Sequence, residues 1–442
     1  WKKPAPYKTT YKGTDLSMSL KHPNFDTLQA HAGQSVDATG ARVTPIYQTT
    51  SFVFDGVEQA REIFNHERPG HIYTRISNPT TDVLEQRLAA LEGGSACVCF
   101  ASGMAAEAAV AFTLCKTGDE IVCATALYGG THTLFADRLP ERFGIATRLV
   151  DIDDFAAVER AINEKTRMLY FESIGNPNMV IPDIERLCQI AHAHGVPVVC
   201  DNTFGTPYLM QLGQWGVDIV VHSATKYIGG HGNSIGGAAI DMGSFPWKGN
   251  PRFADFNEPD PTNHDLVYAD MGDIAFATKL RAQQLRDTGA CLSPFNAFLL
   301  LTGVETLSLR VERHCQNALA IAQFLAASPK VAWVNYPALP GDKYHARQQK
   351  YAPKGAGGIF SFGLAGGYPA GVKFIEKLKI FSHLANVADA KSLVIHPAST
   401  THGQLDEKGL KEAGVQPEMI RMSVGLEDVN DLLEDVAQAL ED

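Results

Sequence analysis

The run Ser223-Ala224-Thr225-Lys226-Tyr227, followed by Gly229-Gly230-His231-Gly232, sets a lysine between two hydroxyl side chains and a flexible glycine loop. A lysine amine loses its proton readily when desolvated and then attacks carbonyl carbon. Ser223 and Thr225 can bind a phosphate beside it. An aldehyde held as an imine and a phosphate held by hydroxyls together describe pyridoxal phosphate (PLP), with Lys226 as the Schiff-base lysine. Taken alone, the segment is equally an ordinary glycine loop, so the case depends on what accompanies it.

Three further stretches accompany it. The run Val196-Pro197-Val198-Val199-Cys200-Asp201 is apolar and β-branched and ends in an acid, the pattern of a buried parallel strand. Ligands of open α/β sheets bind at such carboxyl ends, and Asp201 there can keep a pyridine nitrogen protonated. A second run, Val217 to Ser223, delivers the lysine loop to the same edge. Ser102-Gly103-Met104 follows the apolar run Ala96–Ala101 and opens a helix-forming segment, so its unpaired N–H groups offer a phosphate site. Tyr128-Gly129-Gly130 presents a ring that can stack on a flat ligand. Each has a plain alternative as well: a turn-capping Asp, a capped helix, a tyrosine in a glycine turn.

The ordered set Ser102-Gly103-Met104, Tyr128-Gly129-Gly130, Glu172-Ser173-Ile174-Gly175-Asn176-Pro177, Asp201-Asn202-Thr203 and Ser223-Ala224-Thr225-Lys226 resembles the Cys/Met-metabolism family of fold-type I PLP-dependent enzymes. The likeness runs from about Phe25 to the C-terminus and takes in Tyr73-Thr74-Arg75, His396-Pro397-Ala398 and Arg421-Met422-Ser423-Val424-Gly425. Thr27 to Gln34, Leu384 to Val387 and a Pro-, Asp- and Asn-rich insertion between Phe245 and Ala275 are similar to its O-acetylhomoserine sulfhydrylase branch. The resemblance implies an α/β fold: a mainly parallel sheet covered by helices, a smaller α/β C-terminal domain and an N-terminal arm.

It also implies roles. Lys226 is then the imine lysine and the acid–base, Asp201 the partner of the pyridinium nitrogen, and Tyr128 the stacking ring that also aids proton transfer. Ser102, Gly103, Met104, Ser223 and Thr225 hold the phosphate, joined by Tyr73 and Arg75 from another subunit. Arg421 grips the substrate carboxylate, a match to its planar fork. Tyr73 reaches the substrate as well, and Asn176 and Asn386 assist near the cofactor and the substrate carboxylate. The activity implied is γ-replacement: O-acetyl-L-homoserine and sulfide, or a small thiol, give homocysteine or methionine and acetate. Cystathionine γ-synthase or methionine γ-lyase activity is the alternative within the family, and a non-catalytic PLP-binding protein is the third reading. Gly130 stands where the γ-lyases carry cysteine, which favours replacement. Ala388 stands where the sulfhydrylase branch has glycine, a departure beside the substrate carboxylate.

Composition bounds the rest. The chain has 442 residues, 45% of them hydrophobic, and a formal net charge of −11 with no concentrated basic run. That balance argues against nucleic acid or an anionic membrane as partner. No apolar run reaches spanning length. The eight cysteines are dispersed without a Cys-x-x-Cys pair, which suits a reducing cytoplasm and argues against a zinc cluster. His192 and His194 fall on different faces of a helix, so no metal is expected. His222, at the end of a strand, reads as a packed or hydrogen-bonded residue. Glu427 and Asp428 read as charges at the start of the last helix.

The expected organisation has four parts. Residues 1–17, with four lysines ahead of Met18, read as an added or disordered extension. Residues 18–77 form an arm against a neighbouring subunit, 78–293 the PLP-binding domain and 294–442 the C-terminal domain. Amphipathic helices are expected over Asp154–Lys165 and Asp183–His194, a helical stretch around Leu299–Ala326, a strand over Gly358–Phe362, and a last helix from Asp428. The family resemblance implies a homotetramer with shared sites.

Overall fold

The computed structural model describes residues 22–37, 39–65, 67–400, 403 and 414–441. The expected extension 1–17 and the first arm residues, 18–21, lie outside them. Twelve strands occur among the described residues: β1 (Ala96–Phe100), β2 (Glu120–Ala124), β3 (Ala146–Val150), β4 (Thr166–Glu172), β5 (Val198–Asp201), β6 (Ile219–His222), β7 (Gly237–Asp241), β8 (Val331–Asn335), β9 (Ile359–Leu364), β10 (Ser382–His383), β11 (Leu393–Ile395) and β12 (Met419–Ser423). The chain forms two compact units. One comprises the residues up to Cys115 with Asp218–Thr225 and Ser234–Glu305; the other comprises Lys116–Val217, Lys226–Asn233 and Thr306 onward.

In the first unit the strand order is β1-β7-β6, with β7 antiparallel to both neighbours. Every residue of β6 and β7 is buried. The helix Pro79–Glu92 starts where Asn78 accepts from Thr80 N–H at 3.0 Å and Pro79 supplies a preset φ. Its Leu84, Leu88 and Leu91 are buried at helical spacing. Beyond β1, Ser102 caps the helix Gly103–Leu114 by accepting from Ala105 N–H at 3.1 Å. His222 is buried and hydrogen-bonded to Glu92 at 2.5 Å, as a packed histidine should be.

The insertion after Phe245 is a folded body with an aromatic centre. Trp247 stacks on Phe256 with ring centroids 4.2 Å apart, and Phe253 meets both rings edge-on. Lys279, almost wholly buried, lies 4.2 Å over the Phe256 ring and donates to Thr113 O and to Asp255. Asp260 accepts from Thr262, from Tyr268 at 2.6 Å and from Gln283 at 3.1 Å, which closes the polar end of the segment.

In the second unit β5-β4-β2-β3 is an all-parallel array. The helices Phe155–Ala161 and Ile184–Ala193 occupy the two stretches read as amphipathic. Asp154 and Asp183 stand outside as caps, and the first helix also stops at Ala161, where Ile162 turns to extended backbone. The chain end forms a second sheet, ordered β10-β11-β12-β9-β8, antiparallel except for β10 with β11. Phe360 and Phe362 of β9, Ile420 and Met422 of β12, and Ile321, Leu325, Phe374, Leu432 and Val436 from the flanking helices share one core. The expected stretch Leu299–Ala326 is two helices, Pro294–Val304 and Leu307–Ala326. The strand expected at Gly358–Phe362 is β9, and the last helix, Val429–Leu440, is capped by Asp428.

Candidate active site

The second unit carries six of the expected site residues: Tyr128, Asn176, Asp201, Lys226, Asn386 and Arg421. β4 ends at Glu172 and β5 at Asp201, and the register sets these two residues side by side. Asp201 is 9% exposed, and one of its oxygens accepts from Thr203 N–H at 2.7 Å, which fixes the carboxylate in its own turn. The Lys226 amine donates to Asn386 Oδ1. Burial, reinforced by the positive Arg421, pulls its pKa down to about 8. The backbone after it is clamped. Arg310 donates to Tyr227 O at 2.7 Å and to Ile228 O at 3.3 Å, and Ala390 N–H donates to Gly230 O at 2.9 Å. The Tyr227 hydroxyl accepts from Gly358 N–H at 2.6 Å.

Arg421 lies on β12, 6% exposed, and donates to Asn176 Oδ1 at 2.9 Å. Burial lowers its pKa to about 10, so it remains a cation at neutral pH. Asn176 N–H donates to Glu172 Oε2 at 3.0 Å, and Tyr128 N–H donates to Glu172 Oε1. The Tyr128 side chain is 49% exposed, available to a ligand rather than packed inside. Asn386 is carried by a loop in which Ala388, at φ +60°, donates its N–H to Ser423 Oγ at 2.7 Å. The position that departs from the sulfhydrylase pattern therefore does adopt a left-handed backbone, and Ser423 holds it there.

The first unit holds the other expected residues. A Cβ on Gly103 would lie 2.8 Å from Ser223 Cβ and 2.9 Å from its Cα, so only glycine lets the helix start approach Ser223 this closely. The N–H groups of Gly103 and Met104 open that helix, and Ser102 caps it. The Thr225 hydroxyl accepts from Gly236 N–H at 3.1 Å and faces Gly236 O at 3.2 Å, so a phosphate contact requires its proton to turn. Tyr73 is 40% exposed. Arg75 sits 5.5 Å from the Tyr73 ring centroid and donates to Arg286 O. Within this chain Arg75 is thus held by the main chain, with no anionic partner drawn to it among the described residues.

These residues fit PLP. In the second unit a buried amine with a depressed pKa suits its aldehyde and a buried carboxylate at a strand end suits its ring nitrogen; in the first unit, taken by itself, the Gly103–Ser223 approach suits a phosphate. Among the described residues, no group of three or more His, Cys, Asp or Glu is placed to hold a metal ion. No described helix is long and apolar enough to cross a membrane.

Three residues escaped the sequence reading. Glu172 was visible only as part of a motif, and Arg310 had no signal at all, lying 84 residues beyond the lysine it supports. Glu427 was read as a charge for the last helix. It instead accepts from Ser392 N–H at 2.7 Å and from the Ser392 hydroxyl at 2.9 Å, tying down the loop that carries Asn386. Asp428 alone does the capping.

The fold and these residues together define a PLP enzyme. The chain belongs to the Cys/Met metabolism PLP-dependent enzyme family, whose model matches residues 26–441. It is 49% identical to the homocysteine synthase of Schizosaccharomyces pombe, over 96% of this chain and 100% of that one. It is also 49% identical to O-acetyl-L-homoserine sulfhydrylase 1 of Thermus thermophilus, over 94% of this chain and 99% of that protein. A crystal structure from Campylobacter jejuni, named as an O-acetylhomoserine (thiol)-lyase and carrying pyridoxyl-lysine phosphate, superposes with a TM-score of 0.92. It shares 43% identity and covers 95% of this chain and 100% of its own. The expected family, the fold-type I class and the PLP cofactor are those of this protein.

Proposed function

We propose that this enzyme replaces the γ-acetoxy group of O-acetyl-L-homoserine with sulfide, giving L-homocysteine and acetate. What carries this reading is the full-length likeness to proteins named homocysteine synthase and O-acetyl-L-homoserine sulfhydrylase at 44–49% identity. PLP, when bound, supplies an electron sink that acidifies the substrate Cα–H. Lys226 would carry the cofactor, and once the substrate amine displaces it, the freed Lys226 amine removes and returns the protons at Cα and Cβ. Asn386 orients that amine by accepting its hydrogen bond. Arg421 grips the substrate carboxylate, with Asn176 fixing one edge of the guanidinium. With PLP bound, Asp201 would pair with its ring nitrogen and Tyr128 would stack on its ring. Ser102, Gly103, Met104, Ser223 and Thr225 hold the phosphate. The Cγ–O bond breaks with its electron pair leaving on acetate, and hydrosulfide forms the new Cγ–S bond.

The working unit in this reading is a homo-oligomer, a tetramer, with the arm 18–77 on a neighbouring subunit and Tyr73 and Arg75 serving its site. Support comes from the arm's bare apolar side chains: Val43, Val53 and Val57 are each more than 60% exposed. Residues 78–293 would then be the PLP-binding domain and 294–442 the C-terminal domain. A cytoplasmic setting agrees with eight free cysteines. The deciding experiment incubates the holoenzyme with O-acetyl-L-homoserine and sulfide, then with cysteine, and then with methionine alone. Homocysteine as the dominant product supports the reading. A dominant rate with cysteine, or methanethiol released from methionine, overturns it.

A further inference from the structure

We propose that Glu172 is a positioning residue for the amino-acid substrate: its single carboxylate sets both the turn that carries Tyr128 and the Asn176–Arg421 pair. The inference rests on the amino-acid-substrate reading above and goes beyond it, since it assigns the geometry of ring and clamp to one side chain.

Glu172 is the last residue of β4 and is 7% exposed. Its oxygens serve different loops: Oε1 accepts from Tyr128 N–H, in the turn that follows β2, and Oε2 accepts from Asn176 N–H at 3.0 Å, in the loop that follows β4. β2 and β4 are parallel neighbours, so the carboxylate bridges adjacent strand ends. Both partners are backbone donors, and only an ionised carboxylate offers each of them its own acceptor oxygen. Asp201, in register beside Glu172, is turned to a different task, accepting from Thr203 N–H within its own loop.

From Asn176 the constraint passes outward. The backbone of Asn176 is held by Glu172, while its amide oxygen accepts from Arg421 Nη1 at 2.9 Å. A guanidinium binds a carboxylate best through two parallel N–H bonds, so a small rotation about the Asn176 contact spoils the match. On the other branch, Tyr128 N–H is fixed at the entrance of the short helix Gly129–His132, which sets where the ring stands.

The Glu172→Gln variant keeps the shape but replaces one acceptor oxygen with an N–H2 group that confronts one of the two donors. Loss of one charge-assisted hydrogen bond corresponds to about ten- to hundredfold in an equilibrium constant. The expected result is a rise of about tenfold or more, on that scale, in KM for O-acetyl-L-homoserine and in Kd for L-norleucine, with kcat changed far less. The visible circular dichroism of the bound cofactor should change as well. Asn176→Ala should raise the same two constants, because it cuts the Arg421 branch. Parent-like KM and Kd in Glu172→Gln overturn the proposal, even if its Tm falls, for then the carboxylate only stabilises the fold. Should Glu172→Gln not fold, Asn176→Ala decides: an unchanged Kd for norleucine overturns the proposal. A parent enzyme that makes no homocysteine sinks the proposed reaction instead, and leaves the norleucine and dichroism measurements to judge Glu172.

Discussion

Lys226 is prepared as an amine rather than an ammonium. Burial and then Arg421 bring its pKa to about 8 from the ordinary 10.5, so its neutral form is reached well below the pH an exposed lysine needs. Only the neutral amine attacks an aldehyde. The rate at which apoprotein takes up PLP should therefore climb about tenfold per pH unit below pH 8 and level off above it. Arg421→Gln removes a positive charge and should move that midpoint upward. A rate still climbing at pH 10 in the parent would remove the lowered pKa from the account. Lys226→Ala should lose both the yellow absorbance of bound PLP and the activity, read by spectrum and product assay; retention of both would exclude this lysine. Asp201 was legible because it closes an apolar run, and Lys226 because hydroxyls and glycines flank it, patterns that survive in one dimension. Glu172 was not, since a carboxylate at a strand end looks the same whatever it binds. Its two partners lie 44 residues before it and four after it.

At the scale of elements, the helix Gly103–Leu114 depends on one close approach and the loop 386–392 on a few hydrogen bonds. Gly103→Ala drives a methyl group against Ser223, backbone included, and overpacking of this kind costs about 1–3 kcal/mol. PLP affinity of the apoprotein should fall together with the urea midpoint; a parent-like dissociation constant would detach this helix start from the phosphate. Ser423→Ala strands the buried Ala388 N–H, a loss of about 1–3 kcal/mol, and frees the loop that presents Asn386 to Lys226. Urea unfolding measures the first effect. The pH midpoint of PLP uptake measures the second and should shift, whereas an unshifted midpoint would show that Asn386 keeps its place without Ser423. The strands β1, β5 and β6 were readable from apolar runs. The short strands β10 to β12 were not, because their pairing depends on partners far away in the chain and β10 is exposed along its length. The same limit explains Glu427: two residues before a helix, a carboxylate reads as a dipole charge, and the loop it actually holds lies 35 residues earlier.

At the scale of the molecule, shared sites predict complementation. Protomers carrying Arg75→Ala and protomers carrying Lys226→Ala are each expected to be inactive, and mixing them should restore a fraction of sites with both residues intact. If the subunits demonstrably exchange and no activity returns, Arg75 serves its own chain through Arg286 O and the shared site is lost. The family and the α/β class were legible from ordered motifs, whereas the aromatic body after Phe245 was legible only as composition, since Pro, Asp and Asn conceal the rings that pack beneath them. One pairing near Lys226 bears on the history of the chain. Gly230 has φ +69°, and the Arg310 guanidinium fills the space where its side chain would stand, while donating to the carbonyls of Tyr227 and Ile228. Gly230→Ala suffers both the left-handed backbone, about 1–2 kcal/mol, and the collision; with Arg310→Ala in place only the backbone penalty remains. A double-mutant cycle should therefore be strongly non-additive, and additive losses would refute the pairing. A descendant lineage can neither shorten the arginine nor enlarge the glycine first without harm, so the two positions are expected to drift together or not at all.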